Sequence, residues 1–488
     1  MTNALAERCV DDELEVVQRL CMDNRWAEAE AAIRSLTSVP SASAAAHHLL
    51  GRILVHLGRA NETEAHMRRA LQIAPNYQEV HDDLIIFLDD QIEATHETRT
   101  VIRRQWWETF GAHHLRQQTY PNGRDPERPL RVGYVSGDFR FHSAMVAIRH
   151  VLFKTTDHHT SYFYSSHPPA VDDAFTQSYR QEHVDRWREA WGLTDDELDA
   201  QIRKDEIDIL VDLSSYTPFN RLQAFARKPA PITVSAWGYP LGLGWPRGVM
   251  DYLFADRVTI RPEEHGLYSE RIAELPCFLP FTTILNEADV PPLPATPVFA
   301  IFQRPGKIHH GALLAWNHIM QAVPEAMLVF KGERYTEDMR RWITGYFDPD
   351  AVRRIAFSPV TSCAAHIRAY GGVSLSLDTW PQTGGVSTGE SLWMGVPVLT
   401  LYGERITQRV SASILSSVGL PQFITLSVGE YVHEAVTWAT ARYGELGKIR
   451  EGLRSRLLAS PVCAGYEVAV ASTYRQMWRQ YCQEQEQS

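Results

Sequence analysis

Cysteine is scarce, with six in 488 residues (Cys9, Cys21, Cys277, Cys363, Cys463 and Cys482), and no two stand as Cys-x-x-Cys. That scatter argues against a zinc ribbon or a disulfide framework and suits a reducing compartment. No apolar run reaches the roughly 18 residues a membrane span needs. The opening MTNALAERCVDDELEVV lacks a basic region followed by an apolar core, so a cytoplasmic location is expected. Positive charge is also short: 48 Lys and Arg against 59 Asp and Glu give a net charge of −11, which offers nucleic acid or an anionic membrane no footprint. Neither GxxxxGK[ST] nor GxGxxG occurs, which removes the P-loop and the dinucleotide fingerprint.

What is present is length enough for two large cores and something smaller. Residues 13 to 95 lack strand-like runs and read as paired amphipathic helices broken at Val39-Pro40 and Ala74-Pro75-Asn76. Leu49-Leu50-Gly51, Leu57-Gly58-Arg59 and Ala70-Leu71, with small residues where helices must approach, are similar to a tetratricopeptide repeat of about 34 residues. A weaker copy is expected around Trp26-Ala27-Glu28-Ala29. Two such units cannot bury a solenoid core, so the segment is expected to pack on its neighbour, as a protein-binding element or a plain scaffold.

After the linker Pro121 to Pro126, short apolar runs recur at Leu130 to Ser136, Tyr162 to Ser165, Ile207 to Leu213, Ile232 to Trp237 and Tyr252 to Ala255. The pattern restarts beyond the proline-rich stretch Val290 to Pro297, with runs at Phe299 to Phe302, Met327 to Phe330, Ile355 to Phe357, Val373 to Leu377 and Val396 to Leu401. Buried strands separated by helices predict two parallel, doubly wound sheets facing a cleft. The expected units are 1–95, a helical connector over 96–129, Rossmann-like domains over 130–290 and 291–440, and helices over 441–488, ending in a polar tail from Gln483 to Ser488.

Chemistry is expected in strand-to-helix loops. In Asp378 to Glu390, Gly384 and Gly385 let the backbone approach a ligand, while helix-start amides with Ser387 and Thr388 suit phosphate oxygens. Glu390 is placed to accept from ribose hydroxyls, although Ser387-Thr388-Gly389-Glu390 also reads as a capping box. Gly385-Val386-Ser387-Thr388-Gly389 fits GxSxG, but several residues separate it from the strand, and no aspartate follows, so a hydrolase elbow is disfavoured. Lys307, helped by Arg304, is positioned to neutralise a departing diphosphate, with a solvated loop lysine as the plain alternative. Asp138 and His142 leave the first strand at its ligand edge, where a histidine suits a general base or a sugar contact and a packed turn is the alternative. The single DxD, Asp348-Pro349-Asp350, reads as a loop rather than a metal site.

Five blocks then carry a resemblance to the O-linked N-acetylglucosamine transferase family, which includes the plant SPINDLY proteins. They are Leu130 to Phe139; Asp208 to Leu213; Ala230-Pro231-Ile232 with Trp237 to Pro240; Asp251-Tyr252 with Tyr268 to Glu270; and Leu377 to Thr400. The resemblance implies a GT-B fold, a nucleotide-sugar donor with uridine-diphosphate N-acetylglucosamine as default, inversion at the anomeric carbon, and no metal or cofactor. It implies a protein acceptor, serine or threonine by analogy, held in part by the N-terminal helices, with the 130–290 domain on the acceptor side and the 291–440 domain on the donor side. It places His142 at the active-site histidine, Lys307 at the diphosphate lysine, His366 beside the base, Ser387 and Thr388 in the phosphate loop and Glu390 at the ribose. Departures stand at Cys363, at Val386, at Tyr216 and in the 241–247 loop, which is about two residues longer than usual. A catalytically weak relative acting as a binding module is the alternative reading, and a serine hydrolase using Ser387 the more distant one.

Overall fold

The computed structural model describes residues 13–23, 25–38, 43–115, 118–153, 158–282, 289–332, 335–359 and 361–487. Cys9 and the Val39-Pro40 break lie outside the described residues. Six helices come first: α1 (13–22), α2 (Trp26–Thr37), α3 (Ala44–His56), α4 (Ala60–Ile73), α5 (Gln78–Asp90) and α6 (His96–Trp106). The turn at Ala74-Pro75-Asn76 divides α4 from α5 as the proline predicts. A Cβ on Gly51 would sit 3.0 Å from Met67 Cγ, so that glycine does permit the close approach of α3 and α4. Ala29, Ile33, Leu50 and Ile53 form a core of their own. Val80, Leu84, Trp106, Trp107 and Phe110 share a second core with Phe225, Leu243 and Trp245, so the helical segment packs on its neighbour as its short length requires.

The first sheet contains β1 (Leu130–Ser136), β2 (His159–Ser165), β3 (Trp187–Glu189), β4 (Ile209–Asp212), β5 (Ile232–Ser235), β6 (Tyr252–Ala255) and β7 (Arg271–Glu274), in the order β3-β2-β1-β4-β5-β6-β7 with every pairing parallel. Its helices are α7 (Ser143–Leu152), α8 (Ala174–Glu182), α9 (Asp195–Lys204) and α10 (Leu222–Ala226). α9 follows local rules throughout: Thr194 and Glu197 cap each other's backbone, three acids fill the first turn, and Arg203 and Lys204 close the last.

The second sheet contains β8 (Val298–Ile301), β9 (Met327–Lys331), β10 (Ile355–Ser358), β11 (Leu375–Leu377), β12 (Val398–Leu401) and β13 (Ile424–Thr425), ordered β10-β9-β8-β11-β12-β13 and again parallel. Around it lie α11 (His310–Ala322), α12 (Glu337–Thr344), α13 (Pro349–Val352), α14 (Cys363–Tyr370), α15 (Val386–Trp393), α16 (Val410–Ser417), α17 (Val428–Ala439) and α18 (Tyr443–Ala459). The expected stripe Leu313, Trp316, Met320 and Val323 is fully buried. Asp348 precedes α13 as its N-cap, as a loop residue, whereas Pro349 and Asp350 open that single helical turn; Asp350 pairs with Arg353.

The last helix, α19 (Tyr466–Glu486), returns to the first sheet: Trp237 Nε1 donates to Tyr466 Oη at 3.0 Å, and Trp478 Nε1 donates to the Asp125 carbonyl at 3.0 Å. Residues 483–486 of the expected polar tail belong to this helix. Strand order reverses beside β1 and beside β8, so the ligand edges of the two sheets are the loops after β1, β4, β8 and β11.

Candidate functional site

The loop after β11 is built around one buried carboxylate. Asp378 accepts from the Thr379 amide at 3.0 Å, the Gly384 amide at 2.9 Å and Thr400 Oγ1 at 2.8 Å, folding residues 378–384 into a tight arch. Burial raises its pKa, opposed by hydrogen bonds from Ser411, Thr400 and Gly384 and by the Lys307 charge. Helix α15 then starts at Val386 with Gly385 as N-cap and no side-chain cap. This corrects the capping-box alternative: Ser387 lies inside the first turn, and Glu390 faces away from the helix start. Gly385 has no side chain to cap them, so the first-turn amides keep their capacity for a ligand.

Gly384 has no room for a side chain, since a Cβ would meet Thr388 Oγ1 at 2.5 Å and Gln303 Nε2 at 2.7 Å. The two loop hydroxyls are held: Ser387 Oγ accepts from Gln303 Nε2 at 2.7 Å, and Thr388 Oγ1 shares a hydrogen bond with Ser411 Oγ at 2.8 Å. Ser387 has an amide rather than a histidine as its partner and sits in a helix, so the nucleophile-elbow reading has no support in its surroundings.

Lys307 ends a short turn after β8, and its Nζ donates to the Thr383 carbonyl at 3.0 Å. Burial pushes the ammonium pKa down to about 8, the Arg304 charge adds to this, and Asp378 and Asp90 oppose it. Arg304 is exposed beside it and donates to Gln382 Oε1 at 3.4 Å. The structure thus gathers Arg304, Lys307, Gly384, Gly385, Ser387 and Thr388 at one sheet edge.

His366 and Glu390 meet on the other side of this loop, His366 Nε2 lying 3.3 Å from Glu390 Oε2. Tyr370 Oη also donates to Glu390 Oε2, at 3.0 Å, and its ring stacks on Phe302 at 3.6 Å. An aromatic wall with one fixed carboxylate suits a base and a ribose. Cys363 is exposed at the start of α14.

From the first sheet, His142 caps α7, and its Nδ1 lies 3.4 Å from Asp138 Oδ2. Burial lowers its pKa; Asp138 opposes this, and the Arg140 and Arg304 charges reinforce it. α7 also packs against α15, which brings His142 within reach of the Arg304 charge. Between the helical segment and the second sheet's loops lies a cavity of about 1040 Å³, lined among others by Asp90, Lys307, His309, Trp342 and Gln382.

Sequence reading missed Gln303, Tyr370, Ser411 and Asp90, each of which acts on a motif residue from a distant place in the chain, and the role of Asp378 within its own loop. The longer 241–247 loop has a packing role: Trp245 stacks on Trp106 at 5.3 Å and donates to Tyr216 Oη at 3.2 Å. Among the described residues no helix is long and apolar enough to cross a membrane, and no group of three or more His, Cys, Asp or Glu is arranged to hold a metal ion.

The sequence matches the family model for glycosyl transferase family 41 over residues 107–287 and 288–466. It is 33% identical over 410 residues to the probable UDP-N-acetylglucosamine–peptide N-acetylglucosaminyltransferase SPINDLY of Arabidopsis thaliana, covering 81% of this chain and 44% of that protein. It is 31% identical to the SPINDLY protein of Solanum lycopersicum, covering 84% of this chain and 45% of that one. The chain spans a little under half the length of these relatives. A lysine-to-methionine mutant of the O-GlcNAc transferase of Thermobaculum terrenum superimposes with a TM-score of 0.86 at 30% identity, covering 94% of this chain and 88% of that one.

Proposed function

Because the chain belongs to glycosyl transferase family 41 and has its two-sheet GT-B fold, we propose that it moves a sugar from a nucleoside diphosphate to a protein side chain. N-acetylglucosamine on uridine diphosphate is the default donor, and a serine or threonine hydroxyl the default acceptor. The observation that carries this reading is the meeting of Lys307 with the Gly384–Thr388 loop, opposite His142, in one cleft.

An acceptor hydroxyl attacks the anomeric carbon on the face opposite the diphosphate; the bond from that carbon to the phosphate oxygen breaks, inverting the centre. The charge that develops on the leaving oxygen is met by the Lys307 ammonium, by Arg304 and by the uncovered amides of α15, and such fixed charge is the largest catalytic term. This cationic and amide set supplies the stabilisation a metal otherwise gives. His142, kept neutral near pH 7 by burial, is able to accept the acceptor proton or to orient the donor. His366, Tyr370 and Glu390 hold the nucleoside. Mass spectrometry of a peptide mixture incubated with candidate nucleotide sugars tests the reading: a single sugar added to serine or threonine supports it, and release of free sugar alone, with no peptide modified, contradicts it.

A further inference from the structure

Asp90 is the last residue of α5, and its position is costly on structural grounds. A carboxylate at a helix C-terminus opposes the helix dipole, and here it is also desolvated and next to Asp89. Asp89 has a structural partner, Arg103, at 2.7 Å. Asp90 instead accepts from the Tyr239 hydroxyl at 2.7 Å and lines the same cavity as Lys307. Its backbone is pinned from the second sheet: Arg405 donates to the carbonyls of Asp89 at 2.5 Å, Ile92 at 3.2 Å, Ala94 at 3.1 Å, and also Gln91. The helical segment, Tyr239 and Arg405 therefore meet around one carboxylate that lines this cavity.

We propose that Asp90, carried by the N-terminal helical segment, is a positioning residue of the transfer site: its carboxylate is the counter-charge that keeps the Lys307 ammonium available to a diphosphate, and it fixes the Tyr239 hydroxyl beside it. The diphosphate part rests on the proposed function; the charge coupling does not. The groups facing Asp90 are Asp89 and Glu93 from its own segment, Tyr239 from the first sheet, and Arg304, Lys307 and Arg405 from the second. Those facing Lys307 are Arg304, Asp378 and Asp90, with His309 and His310 lining the cavity beside it. Removing the Asp90 charge leaves burial and Arg304 acting on Lys307 with only Asp378 against them, so the lysine loses its proton at lower pH. The helical segment then completes the catalytic cleft, besides any part it has in holding an acceptor.

The test is competitive acetylation of full-length wild type, Asp90→Asn and Asp90→Glu with acetic anhydride across neutral to alkaline pH, reading Lys307 by peptide mass spectrometry. The expected result is a Lys307 titration near pH 8 in the wild type. It should move down by about half a pH unit or more in Asp90→Asn and be restored in Asp90→Glu. A folded Asp90→Asn protein with an unmoved Lys307 titration overturns the proposal, since a merely structural role alters stability without moving that curve. If Asp90→Asn does not fold, Asp90→Ala, which admits water beside Tyr239, takes its place. Uridine and guanosine diphosphate binding is measured in parallel: if the wild type binds neither, the proposed function fails while the Lys307 titration still decides this inference.

Discussion

Arg409 and Glu264 form a two-pronged ion pair, Nη1 to Oε2 at 2.5 Å and Nη2 to Oε1 at 2.9 Å, that ties the start of α16 to the turn between β6 and β7. It fastens one sheet to the other beside the cleft. Burial would raise the Glu264 pKa, but hydrogen bonds from Arg409 and Arg261 outweigh this and hold it at about 2. A carboxylate depressed in the folded state contributes stability above its ordinary range and loses it as pH falls toward that folded value. Arg409→Met should therefore cost about 2 kcal/mol at neutral pH, because it removes the two-pronged partner of a half-buried carboxylate and leaves it Arg261 alone. That cost should shrink as acid neutralises Glu264. Urea unfolding of both proteins at neutral and acid pH checks it.

Lys307 carries the reverse relation. Its folded-state pKa, about 8, lies below that of an unfolded lysine, so the buried ammonium destabilises the fold fully below pH 8 and less as pH rises above it. Lys307→Met is expected to raise stability by about 1 kcal/mol at pH 7 while abolishing transfer. Thermal unfolding beside an activity assay separates the two effects, and a destabilised variant counts against an ammonium whose burial costs more than Asp378 and Asp90 return.

Gly384, in the loop after β11, and Gly389, in the first turns of α15, should fail in different ways. A Cβ on Gly389 would lie 2.1 Å from the Phe281 ring, an overlap the packed core cannot relieve, so Gly389→Ala should lower stability by about 2 kcal/mol. In Gly384→Ala the obstacles are the side chains of Thr388, Gln303 and Ser387. Their displacement should weaken nucleotide binding about tenfold with a smaller stability change, measured by calorimetry and thermal unfolding together.

His142 titrates below the ordinary histidine range because it is buried. If it accepts the acceptor proton, transfer should hold steady from neutral pH down to below about 6.5 before falling. His142→Asn should lower kcat by about a hundredfold or more and remove that acid limb. A pH–rate profile of both proteins decides the point, and an unchanged acid limb in His142→Asn assigns it elsewhere.

The two sheets were legible because their central strands, such as Leu130 to Ser136 and Tyr252 to Ala255, are apolar on both faces. The strands that escaped notice lie at edges: Trp187–Glu189 and Arg271–Glu274 carry charges there, and Ile424–Thr425 is two residues long. The candidate site was legible where one motif names several of the residues that the fold gathers, as at Lys307 and Gly384 to Glu390. Asp90 was not, since only the fold brings the end of α5 to the loop after β8. Two acids closing a helix, Asp89-Asp90, were the available sign, because they oppose the dipole there. The capping-box pattern misled because the N-cap is Gly385, two residues before Ser387.

The most direct test of the account is calorimetric titration of wild type and Lys307→Ala with uridine and guanosine diphosphate, with and without EDTA. The account predicts binding of one of the two that EDTA leaves unchanged and that the substitution weakens at least about tenfold. Binding that EDTA abolishes, binding indifferent to Lys307, or no binding of either nucleotide would contradict it.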